Sequence, residues 1–185
     1  MRRVSVVGAA GAGKTTLSAR LATALGSRHV ELDAFFWGPD WTPRPPEAFE
    51  RDAERALGGE TWVVDGNYAG FQPQVWARAD TVVWVDPPRA VVLRQVVART
   101  LRQAAGRREL WPGTGNRQRL TWLWPAHERS ILRWTWRQLG ELPQRYAAAM
   151  GDPQNAHLTF HRLRTRRDIE RFLAEASHAS DTSSR

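Results

Sequence analysis

Runs of β-branched and aromatic residues alternate along this chain with segments whose apolar positions repeat at helical spacing. Residues 4–7 (Val4-Ser5-Val6-Val7), 29–32, 61–64, 81–85 and 157–161 carry the first pattern and predict five short strands. A helix is predicted over 16–25, where Leu17, Leu21, Ala24 and Leu25 fall at helical spacing and Gly26 stops the run. A second is predicted over 47–57, with Pro46 near its first turn and Gly58-Gly59 at its end. Further helices are predicted over 89–105, over about 120–150 with breaks near Pro125 and Pro143, and over 168–176. Strand and helix in alternation predict an α/β fold, a parallel sheet covered on both faces. Residues 34–46 read as an aromatic and proline-rich loop. Residues 106–117, with three glycines and Pro112, read as a mobile loop. The polar stretch 178–185 reads as a disordered tail. With no internal repeat and no linker, residues 1–177 are expected to form one domain.

A chain of 185 residues is long enough for a sizeable core. The absence of cysteine excludes disulfides, thiolate metal sites and cysteine nucleophiles. No apolar run approaches the ~20 residues that span a bilayer. Met1-Arg2-Arg3 leads straight into the first strand, so a cytoplasmic location without membrane attachment is the expectation. The net charge of +8 suits polyanionic ligands, whether nucleotides, sugar phosphates or nucleic acid. An arginine-rich, lysine-poor composition equally reflects a GC-rich genome, so charge alone does not argue for DNA binding.

Against that arginine bias, Lys14 is the only lysine. It lies in Gly8-Ala9-Ala10-Gly11-Ala12-Gly13-Lys14-Thr15, which fits G-x-x-x-x-G-K-[ST] at every fixed position, between a predicted strand and a predicted helix. Such glycines let backbone N–H groups curl around phosphate oxygens, and the helix end adds positive partial charge. A compact ammonium on a flexible stem enters a tight loop that a wider, planar guanidinium does not. Gly8, Gly11, Ala12, Gly13, Lys14, Thr15 and Thr16 are therefore the candidate nucleotide-binding residues. The Thr15 hydroxyl is a candidate Mg²⁺ ligand.

In open parallel sheets ligands bind beyond the carboxyl ends of the strands. Asp33, Asp65 and Asp86 each follow a predicted strand on the edge that carries the phosphate loop. Asp65 is a candidate for Mg²⁺, directly or through water, or a cap for the turn at Gly66-Asn67. Asp86 has the hydrophobic-run-then-Asp form of a Walker B strand, although Pro87-Pro88 after it equally fits a helix cap. Asp33 is a candidate acceptor of a proton from a substrate hydroxyl, or a solvated loop carboxylate.

The phosphate loop, Leu32-Asp33-Ala34-Phe35-Phe36-Trp37, Val64-Asp65-Gly66-Asn67-Tyr68, Glu109-Leu110-Trp111 and Gly115-Asn116-Arg117 occur in that order. Together they resemble the P-loop kinases related to adenylate kinase, in particular the group labelled DNA topology modulation protein, over residues 3–176. The resemblance implies a P-loop NTPase of the nucleoside-monophosphate-kinase type, a three-layer αβα fold with a five-stranded parallel sheet and a helical or loop lid inserted at about 106–117. It implies ATP and Mg²⁺, with Asp65 aligned to the Asp-Gly that helps hold the metal. Asn67-Tyr68 stand where such kinases have Phe-Pro-Arg, so an arginine for an AMP phosphate is missing there. Arg99 has the spacing from Asp86 of a lid-entry arginine, and Arg162-Leu163-Arg164-Thr165 resembles the loop that touches adenine.

Closure of such a lid brings guanidinium groups onto the transferring phosphate and excludes water. Arg99, Arg107 and Arg117 are the candidates for that role, with Arg102 and Arg108 as further ones or as solvated helix residues. Arg129, Arg133 and Arg137 make a basic stripe. Trp62 and Trp84 read as core; Trp37, Trp41 and Trp111 read as stacking or loop-anchoring residues. The chain reads as an ATP-dependent kinase in which Lys14, Asp33 and the lid arginines act on a small-molecule acceptor, hydroxyl-bearing or a nucleoside or nucleotide. A monomer or small homo-oligomer is expected. The alternative is a regulatory or nucleic-acid-associated P-loop ATPase, for which no helix-turn-helix, zinc-finger or RNA-recognition signature is present.

Overall fold

Five parallel strands form one sheet in the order β2-β3-β1-β4-β5: β1 (Arg3–Gly8), β2 (Arg28–Glu31), β3 (Trp62–Asp65), β4 (Thr81–Val85) and β5 (Thr159–Leu163). The computed structural model describes residues 1–106 and 109–183, with the side chains of 179–183 outside it. The three central strands are almost wholly buried, as expected for β-branched runs covered on both faces. Helices α1 (Lys14–Ala24) and α7 (Arg166–Ser183) pack together on one face, where Phe172 meets His161 at 4.8 Å. On the other face, Trp76 of α4 (Gln72–Arg78) donates its indole N–H to Ser5 Oγ at 3.2 Å. Tyr146 of α6 (Ile131–Gly151) lies 5.7 Å from the Trp84 ring on that same face. The remaining helices are the one-turn α2 (Asp33–Phe36), α3 (Pro46–Ala56) and α5 (Arg89–Gly106). No described helix is long and apolar enough to cross a membrane.

The three-layer α/β architecture is the expected one, and several local expectations are corrected. The last strand lies two residues later than its apolar pattern indicates. As an edge strand it is half exposed, and pairing along the whole of β4 sets its register. Arg162 and Leu163 are thus in the strand rather than in a loop after it. Helix α4 was not anticipated, being only seven residues long with a proline in its first turn. Helix α7 runs to Ser183, beyond the predicted stop at 176, because no glycine or proline interrupts it; it takes in 178–183 of the expected tail, and 184–185 lie outside the described residues.

Pro143 does not break α6. A proline inside a helix deprives the carbonyl four residues earlier of its donor, here Leu139. Arg89 Nη2 approaches that carbonyl at 3.4 Å. Leu139, Leu142 and Tyr146, all buried, keep both sides of the proline against the core. At Pro125 the predicted break is present: a 3₁₀ turn ends at Leu123, and α6 starts afresh with the Ser130 hydroxyl accepting from the Arg133 N–H at 3.3 Å.

Candidate active site

The phosphate loop leaves β1 at Gly8 and enters α1 at Lys14. Gly8 and Gly11 have φ of +147° and +80°. A Cβ at Gly8 would sit 2.3 Å from the Val85 carbonyl oxygen, and one at Gly11 would sit 2.2 Å from Val96 Cγ2. Both backbone conformation and close packing therefore demand glycine. Beside Gly13 nothing lies within 4 Å, and no side chain caps α1. The first-turn amides of α1 have no helical acceptor, so the loop is a candidate anion cradle. Thr15 and Thr16 are exposed at its rim.

Side chains from two other elements hold the loop in place. Asn67, just beyond β3, accepts from the Gly8 N–H at 3.1 Å and donates to the Gly8 carbonyl. The same Asn67 oxygen accepts from the Tyr146 hydroxyl at 3.1 Å. Gln138 of α6 accepts from the Ala10 N–H at 2.7 Å.

Lys14 Nζ donates to the Ala9 carbonyl at 3.1 Å. Burial pushes its pKa down from the ordinary lysine value; the carboxylates of Asp33, Asp65 and Glu31 oppose that shift and Arg99 adds to it. The Tyr68 hydroxyl donates to Asp33 Oδ1. Burial first, and then the Asp33 charge, push the Tyr68 phenol far up, so it stays a protonated donor. Asp65 is only 3% exposed, with Oδ1 3.3 Å from His29 Nε2. That hydrogen bond raises the His29 pKa against the opposing effect of burial. Glu31 is raised by burial and then by its neighbours Asp65 and Asp33, while the Trp111 indole N–H donates to its Oε1 at 3.4 Å. Burial lowers the Arg99 pKa against the pull of Asp33 and Glu31, and its Nε is buried with no hydrogen-bond partner.

The fold thus brings Lys14, Asp33, Asp65 and Arg99 into one electrostatic cluster, as the sequence positions anticipated. Glu31, His29, Tyr68, Asn67 and Gln138 join them without having been given a role. Arg117 is exposed, and among the described residues no hydrogen bond or ion pair ties it to the cluster. Arg107 and Arg108 lie outside the described residues. Arg102 turns back onto its own helix, donating to the Ala98 carbonyl at 3.3 Å. Asp86, the Walker B or cap candidate, is ion-paired with Arg162 of β5. Its Oδ2 receives Arg162 Nε at 2.9 Å and Nη2 at 2.5 Å, and that guanidinium lies 4.1 Å from the Trp84 ring centroid.

Residues 109–117 are anchored rather than free. Asn116, 1% exposed, donates to the Gly38 carbonyl at 2.8 Å and accepts from the Trp41 N–H at 2.8 Å. Trp41 stands between Trp37 (5.6 Å), Trp111 (5.5 Å) and Trp122 (4.9 Å). Asp40 and Trp41 both have positive φ, 54° and 58°, an uncommon conformation that these contacts maintain. Trp37, Trp41 and Trp111 therefore anchor loops, and Trp62 and Trp84 are core, as read from the sequence.

Among the described residues no three His, Cys, Asp or Glu side chains are grouped to hold a metal by themselves. Mg²⁺ in nucleotide sites keeps waters and phosphate oxygens and takes one or two protein groups. An exposed hydroxyl at Thr15 and a carboxylate at Asp65, which faces Lys14, fit that donor set.

No family model and no curated protein matches the chain. Solved structures do. A sugar kinase from Janibacter sp. HTCC2649, in unliganded form, aligns with TM-score 0.50 and 21% identity over 97% of this chain and 98% of its own. A gluconokinase from Sinorhizobium meliloti 1021 aligns with TM-score 0.50 and 15% identity over 100% and 98%. A shikimate kinase from Bacteroides thetaiotaomicron aligns with TM-score 0.52 and 17% identity over 97% and 98%. At these identities the likeness speaks for the fold: this chain has the three-layer α/β fold of the P-loop kinases of nucleoside-monophosphate-kinase type.

Proposed function

We propose that this protein is an ATP-dependent kinase that phosphorylates a hydroxyl group of a small molecule. The observation that carries this reading is the meeting of an open phosphate loop, a lysine inside it, and a carboxylate, Asp33, held next to that lysine by Tyr68. Similarity of fold to sugar, gluconate and shikimate kinases supports it. The order of motifs resembles that of the adenylate-kinase-related group labelled DNA topology modulation protein, which is in keeping with this reading.

In this reading the loop amides and Lys14 bind the ATP phosphates, and Lys14 balances charge on the transferring group. Thr15 and Asp65 hold Mg²⁺, which supplies further positive charge to the phosphates. Asp33 orients the acceptor hydroxyl and takes its proton, with Tyr68 fixing the carboxylate. Arg99 points its charge into the same cluster; Arg107 and Arg117 are the further arginines proposed to stabilise transfer. Asn67-Tyr68 leave no arginine there for a phosphate-bearing acceptor, which favours an uncharged alcohol. The protein works without a membrane, in the cytoplasm, as a monomer or small oligomer. The basic stripe does not favour a nucleic-acid reading. Arg133 donates to the Glu128 carbonyl, and Arg137 is paired with Glu141.

The test is Mg·ATP-dependent ADP release against pooled nucleosides, nucleoside monophosphates and small hydroxylated metabolites, with Lys14→Ala as control. A pool that accelerates release only in the wild type supports the kinase and names the acceptor class. ATP binding with no stimulation by any pool overturns it in favour of a regulatory ATPase.

A further inference from the structure

Helices α5 and α6 form the two sides of an open trough on the side away from the phosphate loop. Its cavity volume is about 700 Å³. Leu93, Val97 and Leu101 recur every fourth residue along α5, and Leu132 and Trp136 do so along α6, with Pro125 at the edge. From Leu93 to Leu101 the stripe runs about 12 Å along the helix axis, so the trough is linear. Nothing among the described residues covers it: Leu101 is 48% exposed and Trp136 59%. Arg94 and Arg133 stand at its rim. Neither guanidinium meets a carboxylate among the described residues, and Arg133 donates only to the carbonyls of Pro125 and Glu128.

The residues behind both walls touch the phosphate loop. On α5, Val92 and Val96, each one residue before a wall residue, close over Gly11, leaving no room for a Cβ there. On α6, Gln138, two residues after Trp136, holds the Ala10 N–H. A displacement of either helix is therefore felt at the cradle.

We propose that the trough binds a linear acyl carboxylate and that its occupation acts on the phosphate loop. The apolar stripes receive the chain and the rim arginines receive the carboxylate. A second copy of this protein is disfavoured, because a two-fold contact through this face would gather Arg94 and Arg133 of both copies in one interface to which the trough lining brings no carboxylate. A broad protein interface, of roughly 20–30 residues a side, is larger than the trough provides. Filling the trough fixes α5 against α6 and so preorganises the loop they support. The coupling rests on the nucleotide-binding reading of that loop; the binding does not.

The experiment is titration of the full-length protein with dodecanoate, kept below its micelle concentration, by calorimetry and tryptophan fluorescence. The Kd for Mg·ATP is measured with and without dodecanoate. Saturable one-to-one binding is expected, weakened on the order of tenfold in Arg94→Glu, abolished in Val97→Glu, and not reproduced by dodecanol. The Kd for Mg·ATP is expected to fall about fivefold in its presence. Absence of saturable binding overturns the proposal, as does equal binding of dodecanol or full binding by Arg94→Glu. A dimer that is insensitive to dodecanoate and lost in Val97→Glu assigns the trough to a second copy and overturns it too. Arg94 is exposed, so its variant remains informative if Val97→Glu fails to fold. Binding of dodecanoate with an unchanged Mg·ATP Kd overturns the coupling. Failure to bind Mg·ATP at all, with dodecanoate still bound, counts against the kinase reading instead.

Discussion

The hydroxyl of Tyr68 donates to Asp33 Oδ1 across 35 residues of sequence, tying the turn after β3 to the first residue of α2. The two substitutions at this contact have different outcomes. Asp33→Asn removes the proton acceptor and is expected to lower kcat on the order of a hundredfold or more, while leaving ATP binding intact. Tyr68→Phe keeps the carboxylate but frees its rotamer, with an expected loss of about tenfold in kcat. Steady-state kinetics with the acceptor found in the pool screen checks both; equal losses would mean that Asp33 acts only through its position.

Lys14→Ala is expected to reduce phosphoryl transfer on the order of a thousandfold, because no other described cation lies inside the loop. The side chain donates one hydrogen bond, to the Ala9 carbonyl, so the melting temperature is expected to hold within a few degrees. Calorimetry beside a single-turnover assay separates lost chemistry from lost fold.

Asn67→Ala is expected to loosen the phosphate loop at its root. It leaves the part-buried Gly8 N–H and carbonyl without partners, a cost of about 1–3 kcal/mol in stability. The Kd for Mg·ATP is expected to rise on the order of tenfold, since part of its binding energy then goes into ordering the loop. Urea unfolding and nucleotide titration read the two effects separately.

Asn116→Ala is expected to release residues 109–117 from the Trp41 loop, again at about 1–3 kcal/mol for the buried groups left unpaired. Faster hydrogen exchange at the Trp41 amide, with the sheet unaffected, is the signature. Unchanged protection would show that the tryptophan contacts alone hold the loop.

Asp80 governs an acid limit to stability. Its Oδ2 accepts from the Arg2 N–H at 2.8 Å and the Arg3 N–H at 2.9 Å, and its Oδ1 accepts from the Thr81 hydroxyl at 2.6 Å. Burial pushes this carboxyl up, but the Thr81 and backbone hydrogen bonds outweigh it and hold the pKa below the ordinary value. The contribution is complete above the unfolded-state pKa and drains away as pH falls through the lower folded one. Urea midpoints followed from about pH 5 down to about pH 2.5 are expected to fall in the wild type, and to fall less in Asp80→Asn.

The fold was legible because its strongest signals are local. A β-branched run, a glycine loop and an apolar helical stripe each act within ten residues, and their alternation leaves few topologies. The nucleotide end of the site was legible for the same reason, since Gly8 to Thr16 is contiguous. The rest depended on partners far apart in sequence. Asn67 was visible only as the absence of an arginine, whereas its role comes from Gly8, 59 positions away. The burial of Asn116 depends on Gly38, 78 positions away, so a glycine-rich stretch that reads as mobile is in fact clasped. Asp86 had the right neighbours in sequence for a metal ligand, and only the register of β5, which sequence placed two residues off, reveals Arg162 as its partner.

The proline in α6 separates two grips on the same loop. Gln138 precedes it and Tyr146 follows it, one reaching Ala10 and the other reaching Gly8 through Asn67. At the intervening turn the helix lacks a backbone bond and borrows the side chain of Arg89 in its place. Arg89 is the first residue of α5, so this turn ties α6 to a neighbouring helix where a helical amide would have bonded only within α6. The two grips on the loop therefore stand on either side of the point where α5 is fastened to α6, with Leu139, Leu142 and Tyr146 holding both halves against the core.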